Sequence, residues 1–435
     1  MKLLLINLSL RPESSRFIFP IGLGYIATAI KEAEYDFDLL DVDLYKYDIK
    51  DLEPRLKGYD VIAFGCIVTG YRYVKELSHL IHKVNPKAVQ ICGNTVASSV
   101  SDTLLANTKI DIIVCGEGDN IILDILKHLT PGIYRALPVK NIDQFRIDWE
   151  IFEVERYIAK SPDYVNDPYP MPKEKIRAMP INTARGCIAK CTFCYHAFYG
   201  IPYRYHSIDK LAQEINIIRG KYKINYVTFY DDLTLFSKKR ASEFADMMKE
   251  KGLYWTANCR ANLFTHKDID LVNRMRDSGC LSLGYSLESA NATILKAMKK
   301  KISLDNFAEQ KRVLDEAGIA TVNSLVIGYP QETEETLQET FDFCYEIDNY
   351  PSVGYLLPQP GTPVYWWARK DGYIKDEEEY LLSMGDRQDL RINMSQIPWQ
   401  RLEQLVHGHL KRISDKLKLN LSEEKLIKTG RIRIK

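Results

Sequence analysis

The chain has 435 residues, more than one ordinary hydrophobic core accommodates, so about two to four domains are expected. Its 59 basic and 58 acidic residues give a net charge of only +1. That balance gives no chain-wide attraction to nucleic acid or to an anionic membrane, although a local basic groove remains compatible with it. We therefore expect a small-molecule, lipid or peptide substrate and no nucleic-acid partner.

The chain begins MKLLLINLSL, which is interpreted as a buried first strand because its apolar run is broken early and lacks a cleavage site. No apolar stretch approaches the length of a membrane span. These features predict a cytoplasmic protein, in which thiols stay reduced. Clustered cysteines then indicate metal binding or catalysis sooner than disulfides.

Residues 1–130 alternate short apolar strands with amphipathic helices. Five buried strands are predicted, in KLLLINL, FDLLDVD, DVIAFGCI, AVQICGN and DIIVCGEGD. This alternation predicts an α/β domain with a doubly wound parallel sheet of flavodoxin or Rossmann type. Such sheets bind ligands at the carboxyl ends of their strands, where the chain carries VTGY, GNTVAS and GEGDN.

Residues 131–179 are rich in proline and aromatic residues and are predicted to form a packed linker. Residues 180–370 form a second α/β series, and its strand candidates lie in RAMPINTA, INYVTFYDD, YWTANCRAN, CLSLGYSLES, ATVNSLVIGYP and SVGYLLPQ. Six such units predict a partial (β/α)6 barrel with its active face at the strand carboxyl ends. Residues 371–435 are predicted to form a small, charged helical region in which His407 and His409 are solvated.

Three cysteines follow the first barrel strand in RGCIAKCTFCYHAFYG, namely Cys187, Cys191 and Cys194. A structural zinc site needs four ligands, usually in two separated pairs, and here only His196 is at hand to complete one. A 4Fe-4S cluster held by three thiolates instead leaves one iron open to a substrate or cofactor. Both interpretations stay open at this point, and the spacing favours the cluster.

The Cys-x3-Cys-x2-Cys spacing, with Phe193 before the last cysteine, resembles the signature of the radical S-adenosylmethionine (radical SAM) family. The resemblance implies that the open iron binds the amino and carboxylate groups of SAM. One electron from the cluster then cleaves SAM to methionine and a 5'-deoxyadenosyl radical, which abstracts hydrogen from a substrate. The electron is expected from an external donor of flavodoxin or ferredoxin type, and the chemistry implies sensitivity to oxygen.

Later strand ends resemble the segments that bind SAM in that family. FYDDLTLF resembles the segment at the amino group, CRAN the one at the carboxylate, GYSLES the ribose position and VIGYPQET the adenine motif. The resemblance implies SAM contacts for Phe193, Asp231, Asp232, Arg260, Glu288, Ser289 and Gly328. Each of these residues also has an ordinary structural interpretation, as a helix cap, an ion pair or a turn.

The order of sheet, linker and barrel resembles the cobalamin-dependent radical SAM enzymes across most of the chain. The implied cobalamin contacts are Gly22, Thr69, Gly93, Thr95, Gly116, Glu117 and Gly118. Residues with little side chain let a flat corrin approach the backbone. The chain lacks the Asp-x-His-x-x-Gly pattern, so it resembles the subfamily without a histidine lower ligand; it departs from that subfamily in having CGNT where Gly-Gly-Pro-His is usual.

The resemblance implies methylation of an unactivated carbon with two SAM molecules per turnover, one methylating cobalt and one generating the radical. Cobalamin-dependent rearrangement or cyclisation is an open alternative. A methylthiotransferase-like enzyme with a second cluster is another, because Cys66, Cys92 and Cys115 lie near the carboxyl ends of successive predicted strands. Core packing is the default interpretation of these three thiols.

Overall fold

The computed structural model describes residues 1–9, 17–164, 168–195, 201–385 and 389–427. His196, the residue on which the zinc alternative depends, lies outside these ranges. The described chain forms two parallel sheets of six strands each and one small antiparallel hairpin. Within the same ranges, no helix combines the length and the apolar character needed to cross a bilayer.

The front sheet is parallel throughout and has the strand order β2-β1-β3-β4-β5-β6. Its strands are β1 Leu3–Asn7, β2 Phe37–Asp41, β3 Val61–Gly65, β4 Val89–Gly93, β5 Ile112–Cys115 and β6 Gly132–Arg135. The predicted doubly wound sheet is thus confirmed, with one strand more than expected. The extra strand, β6, lies in the segment predicted as linker and pairs with β5 at the sheet edge.

Helices cover both faces of the front sheet. They are α1 Ile21–Glu32, α2 Val42–Tyr45, α3 Tyr71–Val84, α4 Asn94–Ser99, α5 Ser101–Asn107 and α6 Ile122–His128. In α3 the buried side chains recur every three or four residues, at Tyr71, Val74, Leu77 and Ile81, because one apolar stripe faces the sheet. Short 3-10 turns at Val68–Gly70 and Gly118–Asn120 follow β3 and β5 at the strand carboxyl ends.

The segment between the two sheets packs tightly on the front domain. It contains β6 and helix α7, Val154–Tyr164. The ring of Phe19, just before α1, lies 4.9 Å from Trp149, 4.9 Å from Phe152 and 5.1 Å from Tyr157. This aromatic cluster anchors the segment to the front sheet.

The second sheet is also parallel, in the order β14-β13-β12-β11-β10-β7. Its strands are β7 Ala178–Ile181, β10 Tyr226–Phe229, β11 Tyr254–Asn258, β12 Cys280–Glu288, β13 Ala320–Ile327 and β14 Ser352–Tyr355. The antiparallel hairpin consists of β8 Ala184–Arg185 and β9 Arg204–Tyr205. Because β7 and β14 are the two edges of the sheet, it forms the open, partial barrel that the sequence predicts.

A helix follows each barrel strand, and two more helices close the chain. The barrel helices are α8 Ile208–Tyr222, α9 Lys238–Lys251, α10 Ile269–Asp277, α11 Ala292–Ala297, α12 Leu304–Glu316, α13 Glu334–Glu346 and α14 Pro363–Lys370. The last two are α15 Glu377–Ser383 and α16 Trp399–Lys416. The prediction of a solvated His409 is wrong, because its ring stacks on Phe341 of α13 at 4.8 Å; His407 is exposed as predicted.

Candidate active site at the carboxyl ends of both sheets

The three cysteines occupy one short loop that leaves strand β8. The thiols of Cys191 and Cys194 share a hydrogen bond. A tight turn joins these two residues, since the backbone N–H of Cys194 donates to the Cys191 carbonyl at 3.3 Å. Cys187 accepts a hydrogen bond at its Sγ from the N–H of Ala189 at 3.4 Å. The loop therefore brings all three sulfur atoms to the carboxyl-end face of the barrel.

The electrostatic surroundings of this loop favour the thiolate form of Cys191, but not of the other two cysteines. The hydrogen bond from Cys194 stabilises ionised Cys191 and lowers its pKa to about 7, and the Lys300 ammonium acts in the same direction. Burial raises the pKa of the Cys187 thiol, and the hydrogen bond to Cys191 together with burial raises the pKa of Cys194. Thiolates are the form in which cysteine binds metal, so the three thiols have the donor chemistry of an iron-sulfur cluster, and Cys187 and Cys194 would lose their protons when it binds. Among the described residues, no group of three or more His, Cys, Asp or Glu side chains is placed so that it could hold a single metal ion.

Thr192 anchors the cysteine loop to three barrel elements. Its side chain is almost wholly buried, and its N–H donates to the carbonyl of Met298 at 3.0 Å. Its hydroxyl donates to the Ala297 carbonyl at 2.9 Å and lies 2.8 Å from the hydroxyl of Tyr329. Its carbonyl accepts from the N–H of Val364 at 3.3 Å. The segments after β12, β13 and β14 thus fix the position of the residue between Cys191 and Phe193.

The two aspartates after β10 do different work. Asp231 is buried and accepts hydrogen bonds from the N–H of Thr183 at 2.7 Å, the N–H of Ala184 at 3.1 Å and the Thr234 hydroxyl at 3.1 Å. Burial raises its pKa to about 6. Asp232 is accessible, and no described side chain or backbone N–H donates to it, although surrounding protein raises its pKa. Asp232 is therefore the one available to a ligand.

The next candidates divide in the same way. Arg260 lies exposed just beyond the end of β11. Glu288 ends β12 with a left-handed φ of +66°, a strained conformation typical of functional sites, and its Oε1 lies 3.1 Å from the Nζ of Lys300. The Ser289 hydroxyl is 3.1 Å from the Thr340 hydroxyl, so it is bonded to α13. Of these residues Arg260 is exposed to a ligand, whereas Glu288 is buried and paired with Lys300.

Gly328 follows β13 in a conformation that favours glycine, with φ at +110°. Its N–H donates to the carboxyl group of Glu332, which is fully buried and whose pKa burial raises to about 7. Phe193 meets the Tyr329 ring edge-on, with centroids 6.4 Å apart. These contacts shape the fifth strand end beside the cysteine loop.

Two of the cobalamin candidates border open space in the front domain. A Cβ atom at Gly93 or at Gly22 would have no atom within 4 Å, so the backbone there is accessible to a flat ligand. Thr69 is part of the turn after β3. The hydroxyl of Thr95 accepts from the N–H of Val68 in that turn at 2.9 Å, which joins the ends of β3 and β4. These residues fit a corrin approaching the strand ends.

Gly116 and Gly118 are explained by contacts within the chain. Gly116 has φ at +87°, and a Cβ there would lie 2.8 Å from the carbonyl oxygen of Ala136. At Gly118 a Cβ would lie 3.3 Å from Ile26 of α1. A small residue is needed at Gly116 whether or not a ligand binds, whereas at Gly118 a small shift of the Ile26 side chain would make room for a Cβ.

Glu117 and Asp119 link the loop after β5 to the cysteine loop. Glu117 pairs with Arg204 at 2.6 Å and lies 3.3 Å from Arg185, while Asp119 lies 2.8 Å from Arg185. Burial alone would raise the pKa of Glu117, but the hydrogen bond from Arg204 and the charge of Arg185 outweigh it, and the pKa is lowered. The carboxylate of Glu117, a cobalamin candidate, is thus already paired with the two arginines. At these ion pairs the strand-end loops of both sheets meet.

Cys66, Cys92 and Cys115 lie in the hydrophobic core of the front domain, with at most 6% exposure. Burial raises the pKa of Cys66 to about 12, which disfavours the thiolate that a metal needs. The Cys115 thiol donates to the carbonyl of Ala97 at 3.2 Å. These observations support the core-packing interpretation.

Several residues of this site were not anticipated from the sequence. They are Arg185, Thr192, Arg204, Lys300 and Glu332. A lysine run at 299–301 and the arginine directly before the cysteine motif were the visible signals. Thr192 and Glu332 resemble ordinary turn residues until their partners in the fold are known.

Comparison with family models gives two matches, one in each sheet region. The radical SAM superfamily model matches residues 181–344, and the B12 binding domain model matches residues 13–126. The first implies a 4Fe-4S cluster and SAM as cofactors, and the second implies cobalamin. Both agree with the expectations from the sequence.

Individual relatives support the same grouping. An uncharacterized methyltransferase of Pyrococcus horikoshii is 26% identical, over 80% of this chain and 78% of the relative. The anaerobic magnesium-protoporphyrin IX monomethyl ester cyclase of Cereibacter sphaeroides is 23% identical, over 83% of this chain and 62% of the relative. The solved structure of the radical S-adenosylmethionine methyltransferase TsrM from Kitasatospora setae has the same fold, with a TM-score of 0.63, 16% identity, and coverage of 85% of this chain and 75% of TsrM. The chain therefore combines a radical SAM domain with a B12-binding domain, as the cobalamin-dependent radical SAM enzymes do.

Proposed function

We propose that the protein is a cobalamin-dependent radical SAM methyltransferase that methylates an unactivated carbon of a small molecule, lipid or peptide. The observation that carries the proposal is the contact of Glu117 and Asp119 with Arg185, which sets the strand ends of the B12-binding domain against the cysteine loop. When bound, the cluster and SAM supply a hydrogen-abstracting radical and cobalamin supplies the methyl group. Two of the relatives reported above are named methyltransferases.

Each part of the site has a role in this proposal. Cys187, Cys191 and Cys194 hold the cluster, and Thr192 keeps their loop in place. Asp232 accepts from the SAM amino group, because it is the aspartate without a partner among the described residues. The exposed guanidinium of Arg260 binds the SAM carboxylate.

The remaining SAM contacts lie farther round the barrel. Glu288 binds the ribose, supported by its ion pair with Lys300. The Gly328 backbone lies beside the adenine. Ser289 acts by fixing the strand end rather than by touching SAM, because its hydroxyl is bonded to α13.

The domains divide the work between the cofactors. We assign residues 1–130 to cobalamin binding, 131–179 to the linker, whose strand β6 completes the front sheet, 180–370 to the radical SAM barrel and 371–435 to a helical C-terminal region. Corrin contacts come from the open backbone at Gly22 and Gly93 and from Thr69. Because the site depends on reduced thiols and an external electron donor, we expect it to work in the cytoplasm.

The first test is the content of iron and cobalt in protein purified without oxygen and reconstituted with iron, sulfide and cobalamin. About four irons and one cobalt per chain are expected. The Cys191→Ala variant should lose the iron and all deoxyadenosine formation from SAM while keeping cobalt. Retention of deoxyadenosine formation by that variant would rule out the cysteine assignment.

Cyclisation is the second candidate, because one relative is a cyclase. SAM labelled in its methyl group separates the two functions. A methyltransferase moves the label into the product, whereas a cyclase leaves it in methionine.

Roughly twice the expected iron would instead support a second cluster at Cys66, Cys92 and Cys115.

A further inference from the structure

Four exposed lysines lie on or beside the cysteine loop, and we call them the lysine face. They are Lys190, Lys296, Lys299 and Lys301. Lys190 lies between Cys187 and Cys191, and the other three belong to the end of α11 and the turn after it. Such a concentration of one sign of charge stands out in a chain whose net charge is +1.

Hydrogen bonds fix the lysine-bearing turn directly on the cysteine loop. The carbonyls of Ala297 and Met298 accept from the hydroxyl and the N–H of Thr192, at 2.9 and 3.0 Å. Thr192 is the neighbour of Cys191. Lys296, Lys299 and Lys301 therefore belong to a segment that is hydrogen-bonded to the neighbour of Cys191.

The neighbouring Lys300 is largely buried and already forms an ion pair. Its ammonium pairs with Glu288 at 3.1 Å, and its side chain is only 18% exposed. By contrast, no Asp or Glu in the described ranges forms an ion pair with Lys296, Lys299 or Lys301. The fold gives these outward ammonium groups no carboxylate of its own, so they are available to a partner.

Large apolar side chains are also exposed on the cysteine loop and on the helix that adjoins it. Ile188, at the tip of the cysteine loop, is 44% exposed, and Trp366 of α14 is 57% exposed. Helix α14 adjoins the loop because its Val364 donates to the carbonyl of Thr192 at 3.3 Å. Exposed large apolar residues among charges are typical of protein–protein contact sites.

We propose that the lysine face is the docking site of a small acidic redox protein of flavodoxin type, which reduces the cluster held by the three cysteines. The inference rests on the proposed function, since it requires that cluster. Charge complementarity selects an acidic partner and accelerates its encounter, while the small apolar centre allows rapid release. In the step itself one electron leaves the flavodoxin, which is oxidised, and enters the cluster, which is reduced; no bond changes.

The test uses the reconstituted holoenzyme and photoreduced flavodoxin in anaerobic stopped-flow measurements of cluster reduction. The variant K296E/K299E/K301E reverses three charges of the face. The control K57E/K87E/K109E reverses three exposed charges that precede strands of the front sheet, at the opposite strand ends. We expect the second-order rate at low salt to fall about tenfold or more in the first variant only, and to lose most of its dependence on salt.

Reduction by dithionite and the electron paramagnetic resonance spectrum of the reduced cluster provide the second readout. Both should be the same in all three proteins, which shows that the cluster is intact. If the charge-reversed protein assembles less cluster, the neutral variant K296Q/K299Q/K301Q is used, with a smaller decrease in rate expected. Wild-type protein that forms no cluster would contradict the proposed function and, with it, the docking site.

Three results would overturn the docking site alone, given an intact wild-type cluster. The first is an equal rate with flavodoxin in the lysine-face variant and the control. The second is a wild-type rate that does not respond to salt. The third is a cluster that dithionite reduces but flavodoxin does not; binding of a short RNA by the wild type and not by the lysine-face variant would then point to a nucleic acid as the occupant.

Discussion

Arg185 lies 2.8 Å from Asp119, and this ion pair joins the loop after β5 of the B12-binding domain to the residue two positions before Cys187. Both side chains are largely buried, at 14% and 8% exposure. The Arg185 guanidinium also lies over the rings of Tyr25 and Phe145, at 5.2 and 5.5 Å. These contacts therefore hold the two strand-end loops against each other.

Replacing only one partner of this pair should destabilise the protein strongly, because the other partner is left as a buried charge without its counter-ion. Arg185→Ala leaves Asp119 and Glu117 without a cation between them, so we expect a loss of about 3 kcal/mol or more in the free energy of unfolding. The loss in the double variant R185A/D119A should be smaller than the sum of the single losses. Chemical denaturation of the protein without cofactors measures all three.

The exposed pair Arg274–Asp246 provides the matched control for that cycle. Its removal should cost less than about 1 kcal/mol, because water screens the charges. Additive losses for Arg185 and Asp119 would show that the interdomain ion pair is not coupled.

The two aspartates after β10 should respond oppositely to the same substitution. Asp231→Asn places an amide opposite the N–H groups of Thr183 and Ala184, so we expect a loss of about 1–3 kcal/mol in stability. Asp232→Asn should leave stability unchanged and weaken SAM binding about tenfold or more, because a charged acceptor is lost. Denaturation and equilibrium dialysis with labelled SAM on the reconstituted protein give the two quantities. Weaker SAM binding in D231N without loss of stability would reverse the assignment.

Much of the fold could be predicted because its signals are local. Apolar runs of four to eight residues between amphipathic helices identified the parallel strands, and the right-handed crossover rule gave the architecture. Strand β6 was missed because Gly132–Arg135 is only four residues long, is not fully buried at any position and follows a proline. Its partner β5 supplies the order that its own sequence does not specify.

The cysteine loop was predictable for the same reason, since its ligands lie within a few residues of one another. The contacts that hold it in place were not. Arg185 and Asp119 are 66 positions apart, and Arg204 and Glu117 are 87 apart, so no local pattern connects them. The difference between Asp231 and Asp232 likewise depends on the N–H groups of Thr183, between β7 and β8, and of Ala184, at the start of β8, which only the folded chain brings close.

Substitutions at Gly93 and Gly116 should have different effects. A side chain at Gly93 should block a ligand, whereas a side chain at Gly116 should destabilise the fold. Gly93 has extended backbone angles and nothing within 4 Å of a Cβ, so Gly93→Leu should leave the unfolding midpoint unchanged. It should reduce cobalt content after reconstitution, with iron content unaffected, because its side chain would fill the space that we propose for the corrin. Gly116→Ala should cost about 1 kcal/mol or more, from its positive φ and the 2.8 Å approach to Ala136. Full cobalt occupancy in G93L would show that the corrin binds elsewhere.

Glu214 of α8 should make stability depend on pH. It is buried, its Oε2 has no hydrogen-bond partner in the described structure, and burial raises its pKa from 4.5 to about 7. Between these values the folded protein holds a proton that the unfolded chain releases, so this contribution to stability is full below pH 4.5 and is lost as the pH rises through 7. At pH 8 Glu214→Gln should therefore raise the free energy of unfolding, on the order of 2–3 kcal/mol.

The same substitution should have little effect at pH 4.5, where the folded protein already holds the Glu214 carboxyl group in its neutral form. Denaturation at both pH values measures the difference, and Glu250→Gln, at an exposed position of α9, is the control. Equal stability of E214Q and the wild type at pH 8 would mean that water or a small movement solvates the ionised group. The pKa of the neighbouring Tyr25 of α1 is raised by burial and by the Glu214 charge. A change in that pKa would then be expected to accompany the movement.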